Sequence, residues 1–343
     1  MTKRITIRDV ADKAGCSVTT VSLVMNQKAH HIPLVTRRKV IEVATRIGYH
    51  PNPLAVGLVT NRTGVIGLIV PNIANPFFSD IAKKVRQKIQ EHNYSLIISE
   101  SSNEAGILLS ELKVILDRVV DGVIITKSSR ITQAQEQQLV ANANKAATPV
   151  VVIDSELEYS KVDSVIVDHC QGGYLATRHL LDLGHKRIGC FSGPKNTKTS
   201  EERIRGYQKA LAESGIEFDS TLVYEGDYTM DFSDQALQYF LSRKVTALFC
   251  LNDMMAIGVL KAARSRGLNV PKQLSVVGFD DIPMAQLTEP QLTTIHQPIE
   301  EVIEEAVLQL VALINKEETN RKNLLHQPRL IIRESTTRQE GKK

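Results

Sequence analysis

The 343-residue sequence predicts an α/β protein: an all-helical N-terminal helix-turn-helix head followed by two doubly wound parallel-sheet subdomains. Three observations carry that expectation. Residues 4–60 read as short helices separated by Gly and Pro breaks, and from residue 63 onward short β-branched apolar runs alternate with amphipathic helical stretches. That alternation then restarts near residue 164, as expected of two similar subdomains with a cleft between them. The length suffices for two or three domains, each burying its own core, and 42% hydrophobic with 23% charged residues is ordinary for a soluble globular protein. The expected division is a head over 1–50, a linker over 51–62 and a ligand-binding and dimerisation body over 63–343.

In the head, Ile7, Val10, Ala11 and Ala14 recur at helical spacing and Gly15 breaks the run. Ser17 is placed to cap a second helix, about Ser17–Asn26, carrying Val18, Val21, Val24 and Met25. A third helix is expected after the cap Thr36, with Val40, Ile41, Val43, Ala44 and Ile47 on its apolar side and Gly48 at its end. Two helices joined by a tight Gly turn have the spacing of a helix-turn-helix, whose second helix enters the major groove of DNA. Val18, Thr19 and Ser22 then face base edges and phosphates, and Arg37, Arg38, Lys39 and Arg46 are available to phosphates, which supply affinity rather than sequence discrimination. The charge agrees. The chain is +4 overall, but residues 1–62 hold ten Lys/Arg against three Asp/Glu, so a +7 head sits on a mildly acidic body and a nucleic-acid partner is expected for the head.

The body's strands are expected at GVIGLIV, YSLIISES, DGVIITK and TPVVVID, separated by helices near Phe78–His92, Glu104–Val120 and Thr132–Lys145. The second set is SVIVD, a Gln171–Leu183 helix, KRIGCFSG, a Glu201–Ser214 helix, a strand near Leu222–Glu225, VTALFCLN, a helix to Arg266 and LSVVGFD, with TTIHQP as a later crossover. Ligands of such sheets sit beyond the carboxyl ends of the strands. Polar and aromatic residues gather at those ends: Asn75, Phe77, Phe78, Asp154, Arg203, Asn252, Asp253, Asp280 and Asp281, with Gln297 in the crossover. Asp and Asn oxygens accept from hydroxyls, an arginine donates in a fixed fork and Phe rings cover C–H faces, which is the chemistry a small sugar needs. Asp253 and Asp281 could equally cap the helices that follow them, and Phe77 could be core.

DVADKAGCSVTTVSLVMNQ followed by RRKVIEVATRIGYHPN closely resembles the head of the lactose/galactose repressor family, and the likeness continues over nearly the whole chain. The resemblance implies a body of periplasmic-binding-protein type and a homodimer on a pseudo-palindromic operator. It also implies a linker helix, Asn52–Thr60 here, that wedges Leu58 into the minor groove. The implied DNA-contact set is Thr6, Ser17, Val18, Thr19, Thr20, Ser22, Asn26, His31, Arg37, Asn52 and Leu58. Two departures stand out: Leu23 where relatives often carry Arg, and Val56-Gly57 where the linker usually offers Arg-Ser. NPFF, VVVID, EERIRGY, LND, GFDD and HQP look like the pocket of the ribose-binding members, which implies Asn75, Phe77, Phe78, Asp154, Arg203, Asn252, Asp280 and Gln297 as ligand residues, with Tyr228 of EGDYTMD covering the ligand. Ser155 stands where a ribose binder has Arg, which implies a different or derivatised sugar, or a pocket closed by Lys195 or Lys198.

The expected function is a sequence-specific DNA-binding transcriptional repressor of a carbohydrate operon, relieved by a ribose-like sugar through a population shift. The alternative is a catabolite-control-type regulator with a phosphorylated carrier protein as corepressor. A dimer surface is expected near Ile73, Val85, Ile89 and Met254–Leu260, and no leucine-heptad tail follows residue 320, so a dimer is preferred over a tetramer. No G-x-G-x-x-G or P-loop occurs and no His is paired with a motif-grade nucleophile, so neither an enzyme nor a cofactor is expected; His185 reads as structural. The cysteines at 16, 170, 190 and 250 are scattered, with no metal-ligand spacing and no disulfide pattern. With no membrane-length apolar run and no signal-type segment, the expected location is the cytoplasm.

Overall fold

A computed structural model describes residues 5–25, 29, 31–49, 62–127, 131–157, 159, 162–195, 197–317 and 324–339. The chain divides into two compact units, Met1–Gly64 and Val65–Lys343. In the head, α1 (Ile7–Ala14), α2 (Val18–Met25) and α3 (Leu34–Ile47) enclose a small core of Val10, Ala11, Ala14, Val21, Val24, Ala29, Val40, Val43 and Ala44. Gly15 takes φ +64° at the end of α1, so the Cys16 amide folds back onto the Ala11 carbonyl and the chain turns directly into α2. Ser17 caps α2 by accepting from the Thr20 amide at 3.1 Å.

Three expectations for the head are corrected. The third helix starts at Leu34 rather than after Thr36, because Pro33 at φ −55° already presets the backbone and Arg37 N–H donates to the Pro33 carbonyl. Ile41 lies on the exposed side of α3, one position off the Val40/Val43/Ala44 stripe. Val18 is exposed and contributes nothing to the apolar face of α2.

The body holds two six-stranded sheets. The first contains β1 (Val65–Val70), β2 (Ser95–Glu100), β3 (Gly122–Thr126), β4 (Val150–Ile153), β5 (Asp163–Val167) and β11 (Leu324–His326), in spatial order β11-β5-β4-β3-β1-β2, all parallel. Its connecting helices are α4 (Pro76–Glu91), α5 (Ala105–Asp117) and α6 (Gln133–Lys145). The second contains β6 (Ile188–Ser192), β7 (Val223–Glu225), β8 (Ala247–Cys250), β9 (Ser275–Asp280), β10 (Thr293–His296) and β12 (Arg329–Ile331), in order β12-β10-β9-β8-β6-β7, with only the β10/β12 pair antiparallel. Around it lie α7 (His169–Asp182), α8 (Lys198–Glu213), α9 (Ser233–Ser242) and α10 (Asp253–Ser265).

Between the sheets the chain passes three times: after β5 into α7, after β10 into α11 (Ile299–Asn315), which packs on the first sheet, and after β11 into β12. The TTIHQP segment is therefore partly a strand, since β10 pairs with β9 before the crossing at Gln297. Val85 and Ile89 cannot form a dimer surface. With Ile81 they make the i, i+4 stripe by which α4 covers the first sheet, and both are fully buried. Leu260 is likewise buried, whereas Ile73 is exposed and Met254 and Ile257 are half-buried.

Candidate effector cleft and DNA-facing head

The strand ends converge on a cavity of about 170 Å³ lined by residues of both subdomains, including Asn75, Phe77, Phe78, Asp154, Arg203, Tyr228, Asn252 and Asp280. These sequence-predicted residues are up to some 200 positions apart in the chain, and the parallel topology brings them together. Helix starts position several. Asn75 caps α4, its Oδ1 accepting from the Phe77 amide at 3.0 Å, which sets Phe77 and Phe78 at the cavity with their rings edge to face, 5.2 Å apart. Phe77 serves twice, since it is also part of the first-sheet core.

Asp154, Tyr228 and Asp280 all adopt positive φ, at 69°, 67° and 116°. For residues with a Cβ this conformation costs on the order of 1–3 kcal/mol each, and the three cluster around one cavity. Tyr228 leans over Gly193, where a Cβ would lie 2.1 Å from its ring, and shares a hydrogen bond of 2.5 Å with the Ser200 hydroxyl.

Arg203 is the cation of the site and is nearly fully buried. Its Nε donates to His169 Nδ1 at 3.3 Å, NH1 donates to the Leu251 carbonyl, NH2 lies 3.7 Å from Asp280 Oδ1, and the guanidinium stacks 3.7 Å above the Phe279 ring. A nitrogen accepting from Arg203 cannot itself carry the proton, so His169 is the Nε2–H tautomer. That Nε2 sits 2.9 Å from the Asp154 carbonyl and 3.0 Å from its Oδ1. Burial alone would raise the Asp154 carboxyl, but contact with His169 and the Arg203 charge hold it below its ordinary range. Asp280 goes the other way: burial pushes it up to about 7, with Arg203 and the Gln297 hydrogen bond opposing and Asp154 adding to the rise.

Several expected residues take different positions. Asn252 caps α10, its Oδ1 accepting from the Met255 amide and its Nδ2 donating to the Tyr228 carbonyl at 2.9 Å, so it fixes Tyr228. Asp253 is fully buried, accepts from Thr294 Oγ1 and the Ile282 amide, and is pushed well above the ordinary carboxyl range by burial and by Asp280; it ties α10 to β10. Asp281 is bound by His296 and Arg333. Gln297 donates to Asp280 Oδ1 at 2.7 Å but lines a neighbouring cavity. Ser155 faces a third cavity, together with Lys198, which is paired with Glu156; Lys195 pairs with Glu225. Neither lysine closes the cleft. His169 was not singled out in the sequence, because its partners lie 15 and 34 positions away. His185 is buried among Thr246, Ser275 and the Thr337 carbonyl, a structural position.

In the head, Ser17, Val18, Thr19 and His31 are exposed, and Thr20, Ser22 and Arg37 are half-buried. Thr6 donates to Asp9 Oδ2 through both its amide and its hydroxyl at 2.7 Å, completing the start of α1. Arg37 Nε donates to the Ile32 carbonyl at 2.6 Å, which fixes the direction of its guanidinium. Asn26, Asn52 and Leu58, with the linker, lie outside the described residues. Among the described residues no helix is long and apolar enough to cross a membrane.

A two-lobed body with a polar cleft, joined to a helix-turn-helix head, defines the class: a regulator in which a small-molecule site is coupled to a DNA-binding module. Residues 63–334 match the family of periplasmic binding proteins and sugar-binding domains of the LacI family, and residues 6–52 match the bacterial regulatory proteins of the lacI family. The chain belongs to the lacI family and is a DNA-binding transcriptional repressor with a sugar-binding-type body. It is 35% identical to catabolite control protein A of Priestia megaterium, over 97% of this chain and 99% of that one, and 33% identical to the repressor PurR of Photobacterium profundum, over 96% and 98%. Among solved structures it is similar to a lac repressor dimer bound to operator and an anti-inducer (TM-score 0.86, 28% identity, 98% of this chain and 100% of that one). It is also similar to an Enterococcus faecium LacI-family regulator with bound ribose (TM-score 0.74, 30% identity, 80% and 100%).

Proposed function

We propose that the chain represses a carbohydrate-utilisation operon as a cytoplasmic homodimer and releases its operator when a small neutral sugar, ribose-like in size, enters the cleft. The convergence of Asp154, Arg203 and Asp280 with Phe78 and Tyr228 on one cavity carries this reading, since carboxylates, a fixed arginine and aromatic rings together match a ring bearing hydroxyls on its edge and C–H on its faces. Similarity to a ribose-bound regulator supports it. The small volume, about 170 Å³, suits a monosaccharide. The site works by binding rather than catalysis and needs no cofactor. Residues 1–50 act as the DNA-reading head, 51–62 as the linker with Leu58 as the minor-groove wedge, and 63–343 as the ligand-binding and dimerisation body. Ser17, Val18, Thr19, Thr20 and Ser22 face the major groove, while Thr6, Asn26, His31, Arg37 and Asn52 contact the backbone and flanking bases. Sugar spanning both lobes changes their angle at the three crossings, and this change passes to the linkers of the dimer.

A second reading has a specific observation behind it, the 35% identity to catabolite control protein A, and would make a phosphorylated carrier protein the corepressor. Against it, Lys84 and Lys88 on α4 are paired with Glu300 and Glu304 of α11, so this face presents neutralised rather than open positive charge. Titration calorimetry separates the two: heat with ribose or a related pentose and none with the phosphorylated carrier supports the first, and the reverse result supports the second.

A further inference from the structure

His169 does not line the effector cleft, yet it touches two charged residues that do, Asp154 from the first lobe and Arg203 from the second. It is the first residue of α7, directly after the crossing at Asp168, and is 1% exposed. Its Nδ1 accepts from both Nε and a terminal nitrogen of Arg203, each at 3.3 Å, so one lone pair takes the fork of the guanidinium. On the opposite side its Nε2–H donates to the Asp154 carbonyl at 2.9 Å, while the Asp154 amide donates to the Val165 carbonyl at 3.0 Å. Asp154 is thereby held at φ +69°, a conformation that a residue with a Cβ keeps when its surroundings impose it. The Phe279 ring backs both groups, its centroid 5.9 Å from that of the imidazole and 3.7 Å from the guanidinium carbon.

A buried arginine and a buried carboxylate in one cleft attract each other strongly, because the attraction between unit charges grows as water is excluded. Paired directly, each would use up on the other the atoms that a neutral, hydroxyl-bearing ligand needs. Arg203 and Asp154 are not paired in this way. Among the described residues the carboxylate that Arg203 approaches is Asp280, at 3.7 Å, beyond hydrogen-bond length, whereas Asp154 has the imidazole beside it, with His169 Nε2 3.0 Å from Oδ1. A neutral imidazole accepts at one nitrogen and donates at the other within a rigid ring, so a single side chain satisfies the arginine and the aspartate while holding them apart.

We propose that His169 is the positioning residue of the effector site: its neutral ring is a spacer that separates Arg203 from Asp154 and keeps each available to the sugar, one from each lobe. The role rests on the sugar reading of the cleft. His169 sets what each lobe offers the ligand without touching the ligand itself.

The test is calorimetry of ribose binding to the full chain, with a melting temperature recorded for each variant. His169→Leu keeps bulk at the position but removes both ring nitrogens, and should bind ribose about tenfold or more weaker than wild type. His169→Asn restores an acceptor near the place of Nδ1 and should recover most of that loss. His169→Ala serves the same comparison if the Leu variant does not fold. Asp154→Asn on the two backgrounds separates spacing from packing: it should weaken ribose binding in the wild-type protein and cost much less in His169→Leu, where Arg203 has already taken the carboxylate. Affinity of His169→Leu equal to wild type, no gain from Asn over Leu, or additive losses in the double variant would overturn the spacer role and leave the sugar reading standing. A wild-type protein that binds neither ribose nor a related pentose would overturn the sugar reading instead, and the role with it.

Discussion

At the scale of single residues the cleft is held by groups in unfavourable states. Asp280 is a buried carboxyl whose ordinary value of 3.8 is raised to about 7. An acid whose folded value is raised contributes stability that is fully present below its unfolded value and is lost as pH rises through the folded one. Asp280 therefore weakens the body progressively between about pH 4 and pH 7. Asp280→Asn, whose carboxamide oxygen can still accept from Gln297, should melt close to wild type at pH 4 and several degrees above it at pH 8, as a thermal melt followed by circular dichroism would read. A second prediction concerns Tyr228. With Gly193 lying under its ring, Gly193→Ala pushes the ring out of place, and sugar affinity measured by calorimetry should fall by about tenfold, the order of 1.4 kcal/mol. Tyr228→Phe keeps the ring in place and loses only the hydroxyl's contacts with Thr197, Thr199 and Ser200, so its affinity should fall less. These dependencies are not legible in the sequence. The types of Asp154, Arg203 and Asp280 were readable as pocket residues, but His169 is defined by partners at 154 and 203, and the spent polar atoms of Asn252 by a carbonyl at 228.

At the scale of elements, capping and close packing place the site. Ser17 and Thr132 are read as helix starts because a side chain that accepts from an amide three positions on is a local signal, whereas Asn75 caps a helix that starts at Pro76, before the expected Phe78. Replacing Ser17 by Ala should cost the head about 1 kcal/mol, measurable as a lower melting temperature of the helical unit. The start of α3 was less legible, since exposed Leu34 and Val35 look unlike a first turn and only the geometry of Pro33 explains them. In the body, α7 and α8 meet backbone to backbone. A Cβ on Gly173 would lie 2.1 Å from the Arg203 carbonyl, and one on Gly206 would lie 2.0 Å from that of Cys170. Because α7 carries His169 and α8 carries Arg203, this contact sets the distance between them. Gly173→Ala should cost about 1–3 kcal/mol in chemical denaturation and weaken sugar binding with it. Helix pairing of this kind depends on side chains that are absent, so periodicity of apolar residues does not reveal it.

At the scale of the whole molecule, the restart of strand–helix alternation near residue 164 announced the two lobes, because parallel sheets buried on both faces leave unmistakable β-branched runs. What the alternation could not give was the route between lobes. The crossings at Asp168, Gln297 and Gln327 are short, and Gln327 Nε2 reaches Asp168 Oδ2 at 3.5 Å, so two of the three crossings touch. Gln297, at the remaining crossing, bonds to the cleft residue Asp280. A ligand contacting Asp280 is therefore one hydrogen bond from a hinge, which is a short physical route from the cleft to lobe rotation. The measurement that tests this account most directly is fluorescence anisotropy of a labelled operator duplex, selected from random sequence, titrated with wild type and Arg203→Ala with and without ribose. Ribose should weaken wild-type operator binding by about tenfold and leave Arg203→Ala unmoved, with sugar-free operator affinity of the two alike. An equal ribose response in Arg203→Ala would contradict it.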